Sequence, residues 1–195
     1  MIGTCSIDST ICIWDIESKV AKTQLIAHDK EVFDMAFARG KDIFASVGAD
    51  GSLRMFDIRS LEHSNIMYES PNLEPLIRLS WNKCDPNYIA TFMEDSNRII
   101  ILDIRVAGVP VAELCGHLAN ANALSWAPHS SCHICTCGED KQALIWELSR
   151  LSPTPIEDPI LAYQAESEIN NMCWSRNYSD WVAIAFGDKM QMRKL

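Results

Sequence analysis

A hydroxyl, an imidazole and a carboxylate are the parts of a nucleophilic relay, and this chain supplies them at Thr136, His117 and Asp140, with the indole of Trp146 close behind. The set recurs as His28, Ser46 and Asp50 followed by Phe56, and in part as Thr4, Asp8 and Trp14. Recurrence argues against catalysis, because a relay needs one nucleophile exposed in a cleft and not a copy in each of several repeats. Donor counting points instead to a structural network. The indole N–H donates to the hydroxyl, the hydroxyl to one imidazole nitrogen, and the other ring N–H to the carboxylate, so every member has a partner. Such a network, once buried, stiffens a small sheet, and losing one member leaves the others unpaired. Phe56 brings no N–H to the set of His28, and the set of Thr4, Asp8 and Trp14 has no His.

Two further groups have chemical potential. Cys132, Cys135 and Cys137 stand near His129 and His133, residue types that bind zinc. A structural zinc site wants two ligand pairs at fitting spacing, and no second Cys-x-x-C exists, so these cysteines are expected to pack as small apolar residues and no metal or cofactor is expected. Asp57-Ile58-Arg59 and Asp103-Ile104-Arg105 repeat an Asp-x-Arg pattern that serves either as a planar docking anchor or as an ion pair capping a turn.

Positioning these residues requires a repeating scaffold, and the chain has one. Four stretches share a short apolar strand, a turn carrying Asp, and a second strand ending in an acid: 2–15, 44–57, 89–103 and 134–147. Their closing acids are spaced 42 to 46 residues apart, and a weaker copy spans 181–195. Ahead of each lies an alternating segment, 32–37, 76–81, 121–126 or 169–174, and further strands are expected at 23–27, 65–69, 111–114 and 160–163. Four short strands per repeat of this length describe a propeller blade, giving an all-β fold. Prolines 153, 155 and 159 mark 152–159 as an exposed connection, with Ser152-Pro153 and Thr154-Pro155 as candidate sites of proline-directed phosphorylation.

Composition narrows the function. Of 195 residues, 48% are hydrophobic, enough for a packed core, and 17 Lys plus Arg against 26 Asp plus Glu leave a formal charge of −9. That balance excludes a basic nucleic-acid footprint. No apolar run is long enough for a membrane helix, and the N-terminus lacks the regions of a signal peptide, so an address in nucleus and cytoplasm is expected, with reduced cysteines and no use for the sequon at Asn177. Neither nucleic acid, membrane nor a small-molecule substrate is expected as a partner.

The repeated residues resemble the WD-repeat family over essentially the whole chain, with the His, Ser or Thr, Asp and Trp positions forming that family's polar tetrad. Segments 22–32, 44–52, 61–71, 81–91, 126–136 and 142–148 carry a closer resemblance. They are similar to the plant Transparent Testa Glabra and anthocyanin regulators and to their animal counterparts, which associate with cullin-4 ligases and dual-specificity tyrosine-regulated kinases. The resemblance implies a non-enzymatic scaffold whose partners are transcription factors, kinases or a cullin-4 adaptor. It also implies a partial propeller, about four and a half blades of seven, read as the C-terminal part of such a protein. Residues 1–195 then form one propeller region with blades near 1–28 (partial), 29–70, 71–115, 116–164 and 165–195 (partial).

Propeller geometry puts the turn Asp and the loop before each first strand on one face. Asp29, Glu31, Glu74, Glu94, Glu139, Glu166 and Glu168 fall there with few bases, Lys30, Arg98, Lys141 and Lys189, so this face is expected to accept basic partner segments or else simply to be solvated. The opposite face carries Asp57, Arg59, Asp103 and Arg105, a pattern similar to the one by which WD-repeat proteins dock on the adaptor of cullin-4 ligases. Phe56 and Leu102 replace the Trp that ordinarily precedes the Asp.

Overall fold

In a computed structural model, which describes residues 1–149 and 154–195, the chain forms five antiparallel sheets of a partial β-propeller. The first sheet holds β1 (Ile2–Cys5), β2 (Thr10–Asp15) and β3 (Val20–Ile26). The second holds β4 (Val32–Phe37), β5 (Ile43–Gly48), β6 (Ser52–Asp57) and β7 (Ser60–Glu69). The third holds β8 (Leu76–Trp81), β9 (Tyr88–Met93), β10 (Ile99–Asp103) and β11 (Pro110–Leu114). The fourth runs through β12 (Ala121–Trp126), β13 (His133–Gly138), β14 (Gln142–Glu147) and β15 (Leu161–Gln164), and the fifth through β16 (Ile169–Trp174), β17 (Trp181–Phe186) and β18 (Lys189–Lys194). Within each sheet the strands pair in chain order as successive antiparallel hairpins.

The core lies between sheets. Four apolar clusters each join the face of one sheet to the next: Phe44 and Phe56 meet Ile11 and Ile13; Leu53 and Val47 meet Leu79 and Trp81; Phe92 and Ile101 meet Trp126 and Trp146; Cys135 and Ile145 meet Ile184 and Phe186. A small sheet buried on both faces needs apolar side chains at successive positions, and β10 (IIILD) and β14 (QALIWE) are written that way. The innermost strands β4, β8, β12 and β16 share a register shift after their first residue, so the same bulge recurs in four sheets. Sheets are also tied through polar groups: the Asp34 carboxylate accepts the Leu79 N–H at 2.9 Å, Trp126 Nε1 donates to the Ser80 carbonyl at 3.1 Å, and the Asn82 amide donates to the Ser131 carbonyl at 2.8 Å.

The outer strands β3 and β7 begin earlier than the alternation of their residues suggests. Both are largely exposed, so their upstream halves pair through the backbone without an apolar face to reveal them. Residues 154–160 are mostly exposed. Ile156 nevertheless turns inward, bridging Leu114 in parallel and exchanging backbone hydrogen bonds with Glu113 and Cys115 at 2.8 and 2.9 Å. The segment thus returns to the outer edge of the preceding sheet. Ser152 and Pro153 lie outside the described residues.

Candidate interaction faces

His117 sits in the loop entering β12, Thr136 in the middle of β13, Asp140 in the β13–β14 turn and Trp146 in β14. Trp146 Nε1–H donates to Thr136 Oγ1 at 2.9 Å, Thr136 lies 2.8 Å from His117 Nε2, and His117 Nδ1 lies 2.9 Å from Asp140. Asp140 also receives the backbone N–H groups of Leu118 and Gln142 at 3.0 and 3.1 Å. Burial pushes the Asp140 carboxyl up, but the His117 ring and these N–H groups outweigh it and hold it below the usual carboxylate range. His117, Thr136 and Trp146 are buried, so the Thr136 hydroxyl has no access to a substrate. The turn closes with Lys141 at φ +65°, a left-handed conformation that side chains other than Gly adopt at a cost.

The second sheet arranges the same positions differently. His28 Nε2 meets Ser46 Oγ at 2.7 Å and His28 Nδ1 meets both Asp50 oxygens at 3.0 Å. In place of an indole, Phe56 stacks on its cross-strand neighbour Phe44 with ring centres 5.0 Å apart. Two residues that sequence reasoning missed complete the network. Ser52 donates its backbone N–H and hydroxyl to Asp50 at 3.0 and 2.8 Å, and Arg54 bridges Asp50 and Asp29 at 3.0 and 2.6 Å. Burial again pushes the carboxyl up, and the bonds from Ser52 and His28 prevail, leaving Asp50 at about 2. Burial lowers the His28 pKa, against the opposing pull of Asp50. Arg54 pairs across the strands with Ser46, where the fourth sheet has Leu144 opposite Thr136; comparing the two repeats residue by residue is the signal that could have found it.

In the first sheet Thr4 accepts the Trp14 indole N–H at 2.9 Å, while Asp8 binds the Thr10 N–H and hydroxyl at 3.0 and 2.7 Å. Thr4 and Trp14 therefore meet and Asp8 stands apart, holding its own turn. The Cys and His residues weighed for zinc separate into three places. Cys135 and Cys137 are buried between the fourth and fifth sheets, where burial raises both thiols, Cys137 to about 12. His129 lies edge-on to Trp174 at 5.7 Å. Cys132 and His133 stay together, 3.4 Å apart and both in contact with the Ser130 hydroxyl, with Glu147 beside them as the cross-strand partner of His133.

On the face of the turn Asp residues, Glu31, Glu74, Glu94, Glu139 and Glu168 are exposed and none makes an ion pair among the described residues. Asp29 is held by Arg54, and Glu166 by Lys189 at 2.6 Å. On the opposite face the two Asp-x-Arg turns are superimposable in their bonding. Arg59 binds Asp57 through Nε at 2.9 Å and Nη2 at 2.6 Å, and Arg105 binds Asp103 with the same distances. Each carboxylate also takes the backbone N–H of its Arg, at 3.0 and 2.9 Å. Hydrogen bonds from Arg59 hold Asp57 at about 2, and those from Arg105 lower Asp103 likewise. The guanidinium planes are thus fixed by their own turns while remaining largely exposed.

Residues 19–57 and 108–147 match the family model of the WD domain, G-beta repeat. The whole chain is 64% identical over 195 residues to the DDB1- and CUL4-associated factor 7 homolog of Dictyostelium discoideum, covering 60% of that protein. It is 34% identical to an uncharacterized WD repeat-containing protein of Schizosaccharomyces pombe, all of the chain aligning with 58% of that protein. Over 76% of its length it is 43% identical to a WD repeat-containing protein of Saccharomyces cerevisiae, covering 32% of that protein. The chain spans at most about three fifths of these relatives.

Proposed function

From the match to the WD domain, G-beta repeat model and the similarity to WD-repeat proteins, we propose that the chain is a WD-repeat protein and a non-enzymatic scaffold that joins regulatory proteins, working in nucleus and cytoplasm. The observation that carries this reading is the burial of the recurring relay-like hydroxyls, Thr136 and Ser46, which are wholly inaccessible, together with the charge displayed on two opposite faces. Surfaces of that kind select protein partners by complementarity. The similarity to a protein named for its association with DDB1 and CUL4 supports a cullin-4 setting. The finer role of joining MYB and basic helix-loop-helix factors, as in plants, is supported by the sequence resemblance alone.

A second reading, a substrate receptor of a cullin-4 ligase, is favoured by the matched forks at Arg59 and Arg105, since a planar, pre-oriented guanidinium is a good anchor. Pull-down of the cullin-4 adaptor by the full-length protein separates the two. Loss of adaptor on changing Arg59 and Arg105 to Ala establishes the receptor reading; unchanged capture rejects it and leaves the scaffold. Failure of the full-length protein to hold any protein partner, or a turnover abolished by one side-chain change, would overturn the scaffold.

A further inference from the structure

The innermost strands end alike. Phe37, Trp81, Trp126 and Trp174 close β4, β8, β12 and β16, and together they wall a cavity of about 820 Å³ on the face that carries the Asp-x-Arg turns. Trp81 and Trp174 donate their indole N–H groups to the carbonyls of Pro86 and Ser179, both at 2.8 Å, and Trp126 donates to Ser80. The rings are therefore anchored in the core, and they form the largely buried floor of the cavity.

Three cations, Arg39, Lys83 and Arg176, converge on the same cavity from three hairpin loops. None makes an ion pair among the described residues. Among the described residues Lys83 Nζ is held by main-chain carbonyls alone, those of Phe37 and Ala38. Burial and the charge of Arg176 lower its pKa, as expected of like charges gathered without a carboxylate between them. Each of these loops also carries an acid, Asp42, Asp85 or Asp180, and among the described residues none of the three pairs with Arg39, Lys83 or Arg176. Arg59 and Arg105, on the same face, are neutralised by their own Asp residues.

We propose that this mouth docks an acidic segment of a partner protein, its carboxylates on Arg39, Lys83 and Arg176 above the tryptophan floor. The inference rests on the reading of the chain as a protein-binding scaffold. It assigns opposite preferences to the two faces, basic segments to the turn-Asp face and acidic ones here.

The test uses the full-length protein and a short fluorescein-labelled peptide of Glu and Asp with a central Leu, read by fluorescence anisotropy. Binding should weaken with salt and shift the tryptophan emission. Joint R39E, K83E and R176E should weaken it by about tenfold or more, and the milder R39Q, K83Q and R176Q set by about fivefold, while R59E with R105E should change it less than about twofold. Circular dichroism confirms that each variant is folded. Equal affinity in the reversed variant, equal loss with R59E and R105E, or equally tight competition by a single-stranded oligonucleotide would overturn the site. Retained capture of any protein partner with no peptide binding sinks this site and spares the scaffold reading; absence of every partner together with no peptide binding sinks both.

Discussion

The second and fourth sheets hold the same His, hydroxyl and Asp at the same places and complete them by different means. In the fourth, an indole N–H closes the chain of donors and Leu144 packs opposite Thr136. In the second, the aromatic position only stacks, and Ser52 and Arg54 crowd onto Asp50 from the other end. What is maintained is a satisfied carboxylate beneath the loop that enters the same sheet. One solution is linear and dry, the other branched and tied to surface Asp29.

The comparison should break most visibly at the histidines. His117→Ala leaves Thr136 and Asp140 short of partners with nothing nearby to replace them, and is expected to cost about 3 kcal/mol in urea unfolding. His28→Ala should cost about 2 kcal/mol, since Ser52 and Arg54 remain on Asp50. Equal losses would refute the distinction. Next comes the turn. Gly51 has φ +75° and an added Cβ would stand 2.7 to 2.8 Å from the Leu73 backbone, so Gly51→Ala should cost about 2 kcal/mol. In the equivalent turn Lys141→Gly should stabilise by about 0.5 kcal/mol, readable as a rise in Tm. Trp146→Phe, which makes the fourth sheet imitate the second, falls between them at about 1 kcal/mol in the same urea assay.

The finest separation is by pH. Burial lowers the pKa of His28, so its stabilising contribution is complete above the unfolded value of about 6.5 and is lost as pH falls through the lower folded value. Asp50, held at about 2, is complete above about 3.8 and loses its contribution only as pH falls through about 2. Urea melts at about pH 7.5 and pH 5.5 should show a decline that His28→Gln flattens. A slope unchanged by the substitution would show that His28 is not its source.

Where side chains alternate against a core, the strands were legible: segments 32–37, 76–81, 121–126 and 169–174 are β4, β8, β12 and β16. Exposed strands β3 and β7 hid their first halves because solvent imposes no pattern on them. At the candidate sites, His117, Thr136, Asp140 and Trp146 come together at the positions their offsets suggest, whereas Asp8 does not join Thr4 and Trp14. Arg54 and the cavity of Arg39, Lys83 and Arg176 escaped notice for a physical reason. Arg54 lies four residues from Asp50 but occupies no tetrad offset, and its other partner, Asp29, is 25 residues away; the cavity cations come from three different sheets, where closeness is set by the curvature of the whole array and not by local spacing.

The return of Ile156 to Leu114 has a consequence in time. As the chain leaves the ribosome, β11 is made before any of the fourth sheet, and its outer backbone stays open until that sheet has been threaded past it. During that interval the third sheet presents a sticky margin to neighbouring nascent chains. Arrival of Ile156, between β14 and β15, then closes the Leu114 end of that edge, so a stall between residues 114 and 156 should be the point in synthesis where a chaperone is most needed.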